Sequence, residues 1–345
     1  MKKRSAIQRR KLSILISGLL TMILIAGCAS AGNSGKGNAE NGKEELESTN
    51  KSQQESLIKV KYNAFTGVSG LAVHFGAEKG FFKEEGLDVE FITTDNPVPG
   101  LTSGDIDIAD FSTTRAIIAA GKGAPFKIVS SLFRTKGPFY LIAKTNIASV
   151  EDLKGKKVGG AVFGSGLDAY AQIILKEHGL SKEDVTYVAN GVHDAAYASL
   201  TAGQVDATII HEPFVSLAEK QGEGKLLAKG WDYLPNFHTG VLVASDSFIA
   251  KNPEAIEKLL RAYLKSQEYA KANLDEYKQY FSQNVKIDAE VLDAMFERED
   301  VLWENNLNVD QAALQETQEI QVQLGFQEQI YGLDEILDLR FIPKQ

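Results

Sequence analysis

The sequence predicts an α/β protein built as two similar lobes, with two segments that cross between them and a helical C-terminal region. Strand and helix signals alternate along residues 58–245, which is typical of largely parallel sheets with helices on their faces. Short motifs of the first half recur about 100 residues later in the second half. The stretch from residue 57 to the end is also longer than a single typical core.

The first series of elements begins with alternating apolar and polar residues at 58–62, which predict a half-buried strand. Residues 71–85 have helical spacing, and Gly80 is the point at which this helix can be interrupted. The rest of the series is predicted as strands at 87–93, 106–111 and 126–132 and a helix at 113–120.

The second series repeats this order. Helices are predicted at 167–178 and 194–202, between strands at 157–161, 185–188 and 207–210. The apolar strands 139–143 and 241–245 bracket the series, as expected if the chain leaves lobe one along the first and returns along the second. A long helix at 255–273 follows, and the helices of 289–345 are expected to pack on lobe one.

Matching motifs place a helix start after the first strand of each lobe. Residues 65–71 resemble 163–167, and residues 104–109 resemble 203–208. Ligands of open α/β sheets bind beyond the carboxyl ends of the strands, where a helix start offers free N–H groups and a partial positive charge. For either start alone ordinary capping explains the residues. The duplication favours two starts that grip a small polar or anionic group across a cleft.

The N-terminus combines six basic residues and no acid within residues 2–11 with an apolar run at 12–26. The run fits the apolar region of a secretory signal and is short for a membrane span. It ends in Ile25-Ala26-Gly27-Cys28, which resembles the bacterial lipobox, whose cysteine is acylated and becomes the new N-terminus. Cys28 is therefore the predicted lipid-attachment residue, on the extracytoplasmic face of the cell membrane. The alternative is an uncleaved anchor helix with a chance cysteine.

Residues after Cys28 are rich in Gly, Asn, Ser, Lys and Glu, and too poor in apolar side chains to form a core, which predicts a disordered tether. The predicted organisation is a lipoprotein signal peptide at 1–27, the tether at 28–56, lobe one at 57–143 plus 242–345, and lobe two at 144–241.

Composition limits the function. The net charge of −9 is poorly suited to nucleic acid. The chain has no phosphate-loop, dinucleotide-binding, nucleophile-elbow or zinc-protease motif, and its five histidines are scattered. No catalytic residue, metal site or cofactor is therefore predicted. His211 beside Glu212 could imitate an acid/base pair, but such a pair at a strand end is more often a ligand contact or a structural bond.

Several motifs together carry a family resemblance. Residues 76–90, 104–109, 150–159 and 202–207, followed by Glu212-Pro213, stand in the order found in the nitrate/sulfonate/taurine-type solute-binding proteins of ABC importers, the SsuA/THI5-like family. The chain resembles this family from about residue 58 to 273. The resemblance implies a two-lobed periplasmic-binding-protein type II fold, the Venus-flytrap arrangement with two hinge crossovers, which acts as a monomer.

The resemblance also implies the function. A small molecule (a sulfonate, nitrate, taurine or similar) is trapped between the lobes and delivered to a membrane permease with a cytoplasmic ATPase. The alternatives are a binder of a thiamine-precursor-like pyrimidine or other heteroaromatic, an enzyme of pyrimidine synthesis on the same fold, and a lipoprotein adhesin or sensor.

Candidate ligand-binding residues follow from the resemblance together with the predicted strand ends. They are Phe65, Thr66 and Ser69 in the first loop, Ser112, Thr113 and Arg115 after the 106–111 strand, Phe133, Arg134 and His238 near the crossovers, Gly164, Ser165, Gly166 and Asp168 at the second helix start, and His211, Glu212 and Phe214 after the 207–210 strand.

Asp168 departs from the pattern of the sulfonate binders. A carboxylate there would repel a sulfonate unless Arg134 or Arg115 offsets it. With His211 and Glu212 it could instead suit a neutral or cationic heteroaromatic ligand, whose N–H groups the carboxylates would accept. A first-turn acid that favours the helix dipole is the third interpretation.

Overall fold

The computed structural model describes residues 56–133, 136–304 and 306–344. The predicted signal peptide, Cys28 and nearly all of the predicted tether lie outside these residues.

Two five-stranded mixed sheets carry the fold. The first has the order β2-β1-β3-β10-β4, in which β1 pairs in parallel with β2 and β3, and β10 runs antiparallel to both β3 and β4. Its strands are β1 (Ile58–Asn63), β2 (Leu87–Ile92), β3 (Ile108–Ser112), β4 (Phe126–Phe133) and β10 (Gly240–Ser245).

The second sheet repeats this arrangement with the order β7-β6-β8-β5-β9. Here β6 is the parallel partner of β7 and β8, and β5 runs antiparallel to β8 and β9. Its strands are β5 (Tyr140–Ala143), β6 (Lys157–Gly159), β7 (Thr186–Val188), β8 (Ala207–Ile210) and β9 (Lys225–Lys229). The duplication predicted from short motifs therefore extends to the order of the strands.

Helices cover both sheets. They are α1 (Val68–Glu78), α2 (Phe81–Glu84), α3 (Val98–Ser103), α4 (Thr113–Gly121), α5 (Gly166–Glu177), α6 (His193–Thr201), α7 (Phe214–Gln221), α8 (Asp246–Lys251), α9 (Pro253–Ala272), α10 (Leu274–Val285), α11 (Ala289–Glu299), α12 (Gln311–Gln323) and α13 (Leu333–Ile336). The expected interruption at Gly80 is confirmed, because Gly80 has a left-handed backbone with φ 88° between α1 and α2. None of these described helices has the length and apolar composition that crossing a membrane requires.

The pairing of β5 corrects its place in the predicted crossing. It was expected to end lobe one, but it hydrogen-bonds with β8 and β9 of the second sheet. The chain therefore passes from one sheet to the other before β5, and it returns before β10. In each sheet the strand that follows the crossing is antiparallel to its neighbours. The remaining lobe boundaries stay a prediction.

The C-terminal helices contact both sheets rather than the first alone. Leu314 on α12 belongs to the apolar core beside β3 and β4, whereas Ile320 and Leu324 pack against the core of the second sheet. Arg298 on α11 forms an ion pair with Glu219 on α7. This helical region therefore spans the two sheets, because its apolar and charged residues are shared between them.

Candidate functional site

A cavity of about 350 Å³ lies where strands of both sheets end and helices begin. Loops after β1, β2 and β3 of the first sheet line it together with loops after β6, β7 and β8 of the second. Its lining residues are Asn63, Ala64, Phe65, Thr66, Gly67, Thr93, Thr94, Asp95, Pro97, Asp110, Phe111, Ser112, Arg115, Pro138, Phe139, Val162, Ser165, Gly166, Leu167, Gly191, Val192, His193, Ala195, His211, Glu212, Thr239 and Glu299.

Two helix starts from different sheets meet at this cavity. Thr66 and Gly67 lead into α1, and Ser165 leads into α5, where its Oγ accepts the backbone N–H of Asp168 at 3.3 Å. The first N–H groups of a helix have no acceptor within the helix and carry a partial positive charge. Both starts therefore offer hydrogen-bond donors to one small ligand.

The Asp168 carboxylate braces the second helix start and does not line the cavity. It is 1% exposed and accepts three hydrogen bonds: from the Gly164 N–H at 2.7 Å, Gln172 Nε2 at 2.8 Å and the Tyr187 hydroxyl at 2.6 Å. Its oxygens are satisfied within the protein, so the geometry places its negative charge in the frame of the loop. Gly164 likewise contributes its N–H to this bracing and lies off the cavity.

Asp110 performs the corresponding task in the first sheet. Its carboxylate accepts the Tyr62 hydroxyl at 2.6 Å and the backbone N–H of Phe65 at 2.7 Å, so it ties the end of β3 to the loop that starts α1. Burial raises the pKa of Asp110 to about 7, although both hydrogen bonds lower it.

Arg115 supplies a cation to the cavity. Its guanidinium donates to the Asp95 carbonyl at 2.8 Å and to Asn96 Oδ1 at 3.1 Å, and it lies 5.3 Å from the centre of the Phe111 ring. Burial lowers the pKa of Arg115 from its ordinary value, but an arginine stays charged at neutral pH. This cation and the two helix starts favour an anionic group in the same cavity.

Glu212 is held by partners on two elements. Its carboxylate accepts the Ser216 N–H at 3.0 Å and the Ser216 hydroxyl at 2.8 Å, and Arg298 Nε lies 2.7 Å from its Oε1. Burial raises the pKa of Glu212, which these partners and Arg298 oppose. The contact with Arg298 brings α11 to the cavity wall formed by the second sheet.

Two histidines at the cavity form a directed chain. Nδ1 of His211 lies 2.6 Å from the carbonyl oxygen of Glu212, and its Nε2 lies 2.6 Å from Nδ1 of His193. Burial, with His193 as the second cause, lowers the pKa of His211 to about 4, so the ring is neutral near pH 7. Within the described residues, no group of three or more His, Cys, Asp or Glu side chains is arranged to hold a metal ion.

The structure brings together Phe65, Thr66, Ser112, Arg115, Ser165, Gly166, His211 and Glu212 among the predicted residues. Phe214 packs against His211 and Tyr197 and does not line the cavity. Arg134 and the side chains of Ser69 and Phe133 lie outside the described part of the chain.

Two further predicted residues belong to the second crossing. His238 is buried and joins Thr113 Oγ1 at 2.9 Å and Ser131 Oγ at 3.1 Å, while its backbone N–H donates to Thr317 Oγ1 at 2.8 Å. Thr113 and His238 thus fasten the crossing to β4 and the start of α4, and neither lines the cavity.

Sequence reasoning missed the lining residues that follow β2 and β7. The rule that ligands lie at the carboxyl ends of parallel strands also applies to these two loops and could have identified Thr94, Asp95 and His193. Glu299 carried no such signal, because it comes from a helix far along the chain.

These features define the class of protein: two sheets of matching topology, two crossings and a cavity at their strand ends form the predicted periplasmic-binding-protein fold. The chain belongs to the NMT1/THI5 like family, whose model matches residues 71–277. The fold is confirmed by the aliphatic sulphonate binding protein SsuA from Escherichia coli, which has a TM-score of 0.67 and 18% identity and covers 84% of this chain and 94% of its own.

Two curated relatives differ in their described roles. A putative aliphatic sulfonates-binding protein of Bacillus subtilis is 26% identical over 339 residues, which cover 96% of each chain. The 4-amino-5-hydroxymethyl-2-methylpyrimidine phosphate synthase THI13 of Saccharomyces cerevisiae is 30% identical over 228 residues, which cover 61% of this chain and 66% of the yeast protein. The family therefore contains proteins named as binders and proteins named as synthases.

Asp168→Ala should lower the free energy of unfolding by about 2–4 kcal/mol, because three buried donors lose their acceptor. Chemical denaturation measures the change. Asp194→Ala is the matched control: Asp194 is an exposed first-turn acid of α6, and its loss should cost about 1 kcal/mol or less. Equal losses in the two variants would contradict a bracing role for Asp168.

Asp110 should make stability depend on pH. A carboxyl whose pKa is raised in the folded state stabilises the fold below its unfolded pKa of 3.8, and this contribution is lost as the pH rises through about 7. The stability of the wild type minus that of Asp110→Asn should therefore fall by a few kcal/mol between about pH 4 and pH 8, at about 1.4 kcal/mol for each unit of pKa.

Denaturant titrations at several pH values measure this difference. Asp88→Asn, at an exposed position on β2, controls for the removal of one charge. A difference curve that is flat for Asp110→Asn, or that rises with pH, would contradict the assignment.

Proposed function

We propose that the protein is the extracytoplasmic solute-binding component of an ABC importer, a monomer tethered to the membrane by a lipid on Cys28. The observation that carries the proposal is the convergence of two helix starts, one from each sheet, on one cavity of about 350 Å³. This volume is in the range of small-molecule sites. The sulfonate-binding relative of B. subtilis, which aligns along nearly the whole chain, supports the same role.

The ligand that we propose carries an anionic group, as a sulfonate, nitrate or taurine does. The N–H groups that start α1 and α5 would donate to this group, and the Arg115 guanidinium would add a full positive charge. Micromolar capture requires about 8 kcal/mol, whereas one helix terminus contributes only about 0.3–2 kcal/mol. Direct hydrogen bonds and the exclusion of water as the lobes close must therefore supply most of the affinity.

A pyrimidine or related heteroaromatic is the alternative ligand, and the name of the yeast relative favours it. Phe65, Phe111 and Phe139 line the cavity and can stack on a ring. A synthase of pyrimidine phosphate is the corresponding enzymatic alternative. The two roles differ in turnover, because a transport protein returns its ligand unchanged.

The test is a thermal-shift screen of the purified protein with taurine, ethanesulfonate, nitrate and 4-aminopyrimidine, followed by calorimetry on each probe that raises the melting temperature. We expect one ligand per chain, with the probe recovered unchanged by NMR after incubation. Chemical conversion of a bound probe would contradict the transport role.

Ser165→Asp should weaken the binding of an anionic probe at least tenfold, because it adds a negative charge at the start of α5. Asn146→Asp adds the same charge at an exposed site outside the cavity and should leave the affinity unchanged. Calorimetry compares the two variants. An unchanged affinity in Ser165→Asp would exclude this helix start as the anion site.

Cys28→Ser should abolish lipid attachment, because serine has no thiol to acylate. Cell fractionation should then find the variant in the soluble extracytoplasmic fraction or as an unprocessed precursor, and the wild type in the membrane fraction. The control is metabolic labelling with palmitate, which should mark only the wild type. Equal labelling of both proteins would refute the anchor.

A further inference from the structure

We infer that Glu299, His193 and Thr239 form an accepting side of the cavity that recognises an amino or ammonium nitrogen of the ligand. This inference rests on the proposed function and narrows its ligand: the molecule carries a nitrogen donor in addition to the group held at the helix starts.

Glu299 is a buried acid without a partner. It is 8% exposed, lies at the end of α11 and contributes to the cavity wall. Among the hydrogen bonds and ion pairs of the described residues, none involves its carboxyl group. A buried carboxylate is costly unless donors or a cation compensate it, so a ligand group is the expected partner.

The neighbouring cation is already engaged. Arg298 pairs with Glu212, at 2.7 Å between Nε and Oε1, and with Glu219 through its terminal nitrogen. Burial, and secondly the charge of Glu212, raise the pKa of Glu299 well above its ordinary value, while Arg298 opposes this rise. A cationic or N–H-bearing ligand group would relieve both causes by donating to the carboxylate.

His193 presents an acceptor for a different reason. The Glu212 carbonyl can only accept, so Nδ1 of His211 donates to it. Because the His211 ring is neutral, its Nε2 must accept, and the proton in the bond to His193 comes from Nδ1 of His193. Burial also lowers the pKa of His193, so the neutral ring keeps its proton on Nδ1 and Nε2 is left as an acceptor.

Thr239 is the independent third observation. It is 4% exposed and lines the cavity, and within the described residues its Oγ1 has no hydrogen-bond partner. An orphaned hydroxyl is rare in a folded protein and requires an explanation. A ligand nitrogen that donates to this oxygen would provide one.

Two scaffolds share this chemistry: an aminoalkanesulfonate and an amino-substituted heteroaromatic ring. Simple alkanesulfonates and nitrate lack the nitrogen donor and would leave the three acceptors unsatisfied. The loss of a hydrogen-bonding partner in a buried site discriminates strongly, because the protein groups then remain unpaired.

The experiment uses matched probes that differ only in the amino group. Calorimetry on the wild-type protein compares 2-aminoethanesulfonate with ethanesulfonate, and 4-aminopyrimidine with pyrimidine. We expect the amino member of one pair to bind at least tenfold more tightly than its partner, and the pair that responds identifies the scaffold. Equal affinity within each pair that binds overturns the inference and leaves the proposed function intact. No binding of any probe overturns the ligand class of both.

The variants then assign the effect to this side of the cavity. Glu299→Gln should weaken the amino probe at least tenfold and leave the probe without the amino group unchanged. Glu297→Gln, an exposed position on the same helix, is the control and should alter neither. Thr239→Val tests the same side from another element, and melting temperatures establish that each variant is folded. Equal weakening of both probes by Glu299→Gln would overturn the inference.

Discussion

Two parallel strands in each sheet, β1 with β3 and β6 with β8, end at the same cavity. The repeated strand order produces this convergence, because each crossing delivers an antiparallel strand beside the corresponding parallel pair. The helices that follow β1 and β6 then begin at the cavity with their N–H groups free. The other polar features of the site serve to hold these loops or to face what they bind.

Buried carboxylates have two different roles around the cavity, and their partners distinguish them. Asp110 and Asp168 each accept donors from other parts of the chain, including one tyrosine hydroxyl each, and so fix the loops before α1 and α5. Glu299 has no such donors among the described residues. An acid whose oxygens are satisfied contributes to the frame, and one whose oxygens are not satisfied is available to a ligand.

The strand ends and helix starts could be predicted because local patterns encode them. Ser165 caps α5 as the sequence predicts, and β8 spans the predicted residues 207–210. Asp168 illustrates the limit: its position in a first turn is visible in the sequence, but the Tyr187 hydroxyl that satisfies it comes from another strand. The sheet assignment of β5 and the place of Glu299 likewise depend on contacts between distant segments.

The C-terminal helix α11 connects ligand recognition to the arrangement of the sheets. Apolar residues of α11 pack with α1 and α10, which cover the first sheet, while Arg298 is bound to Glu212 and Glu219 of the second. Glu299 follows Arg298 directly, and its charge opposes that of Glu212 across this contact. A nitrogen donor at Glu299 would offset that repulsion in the arrangement in which both sheets touch the ligand. Binding and closure would then favour each other, because a ligand shifts a conformational equilibrium only by its differential affinity for the two states.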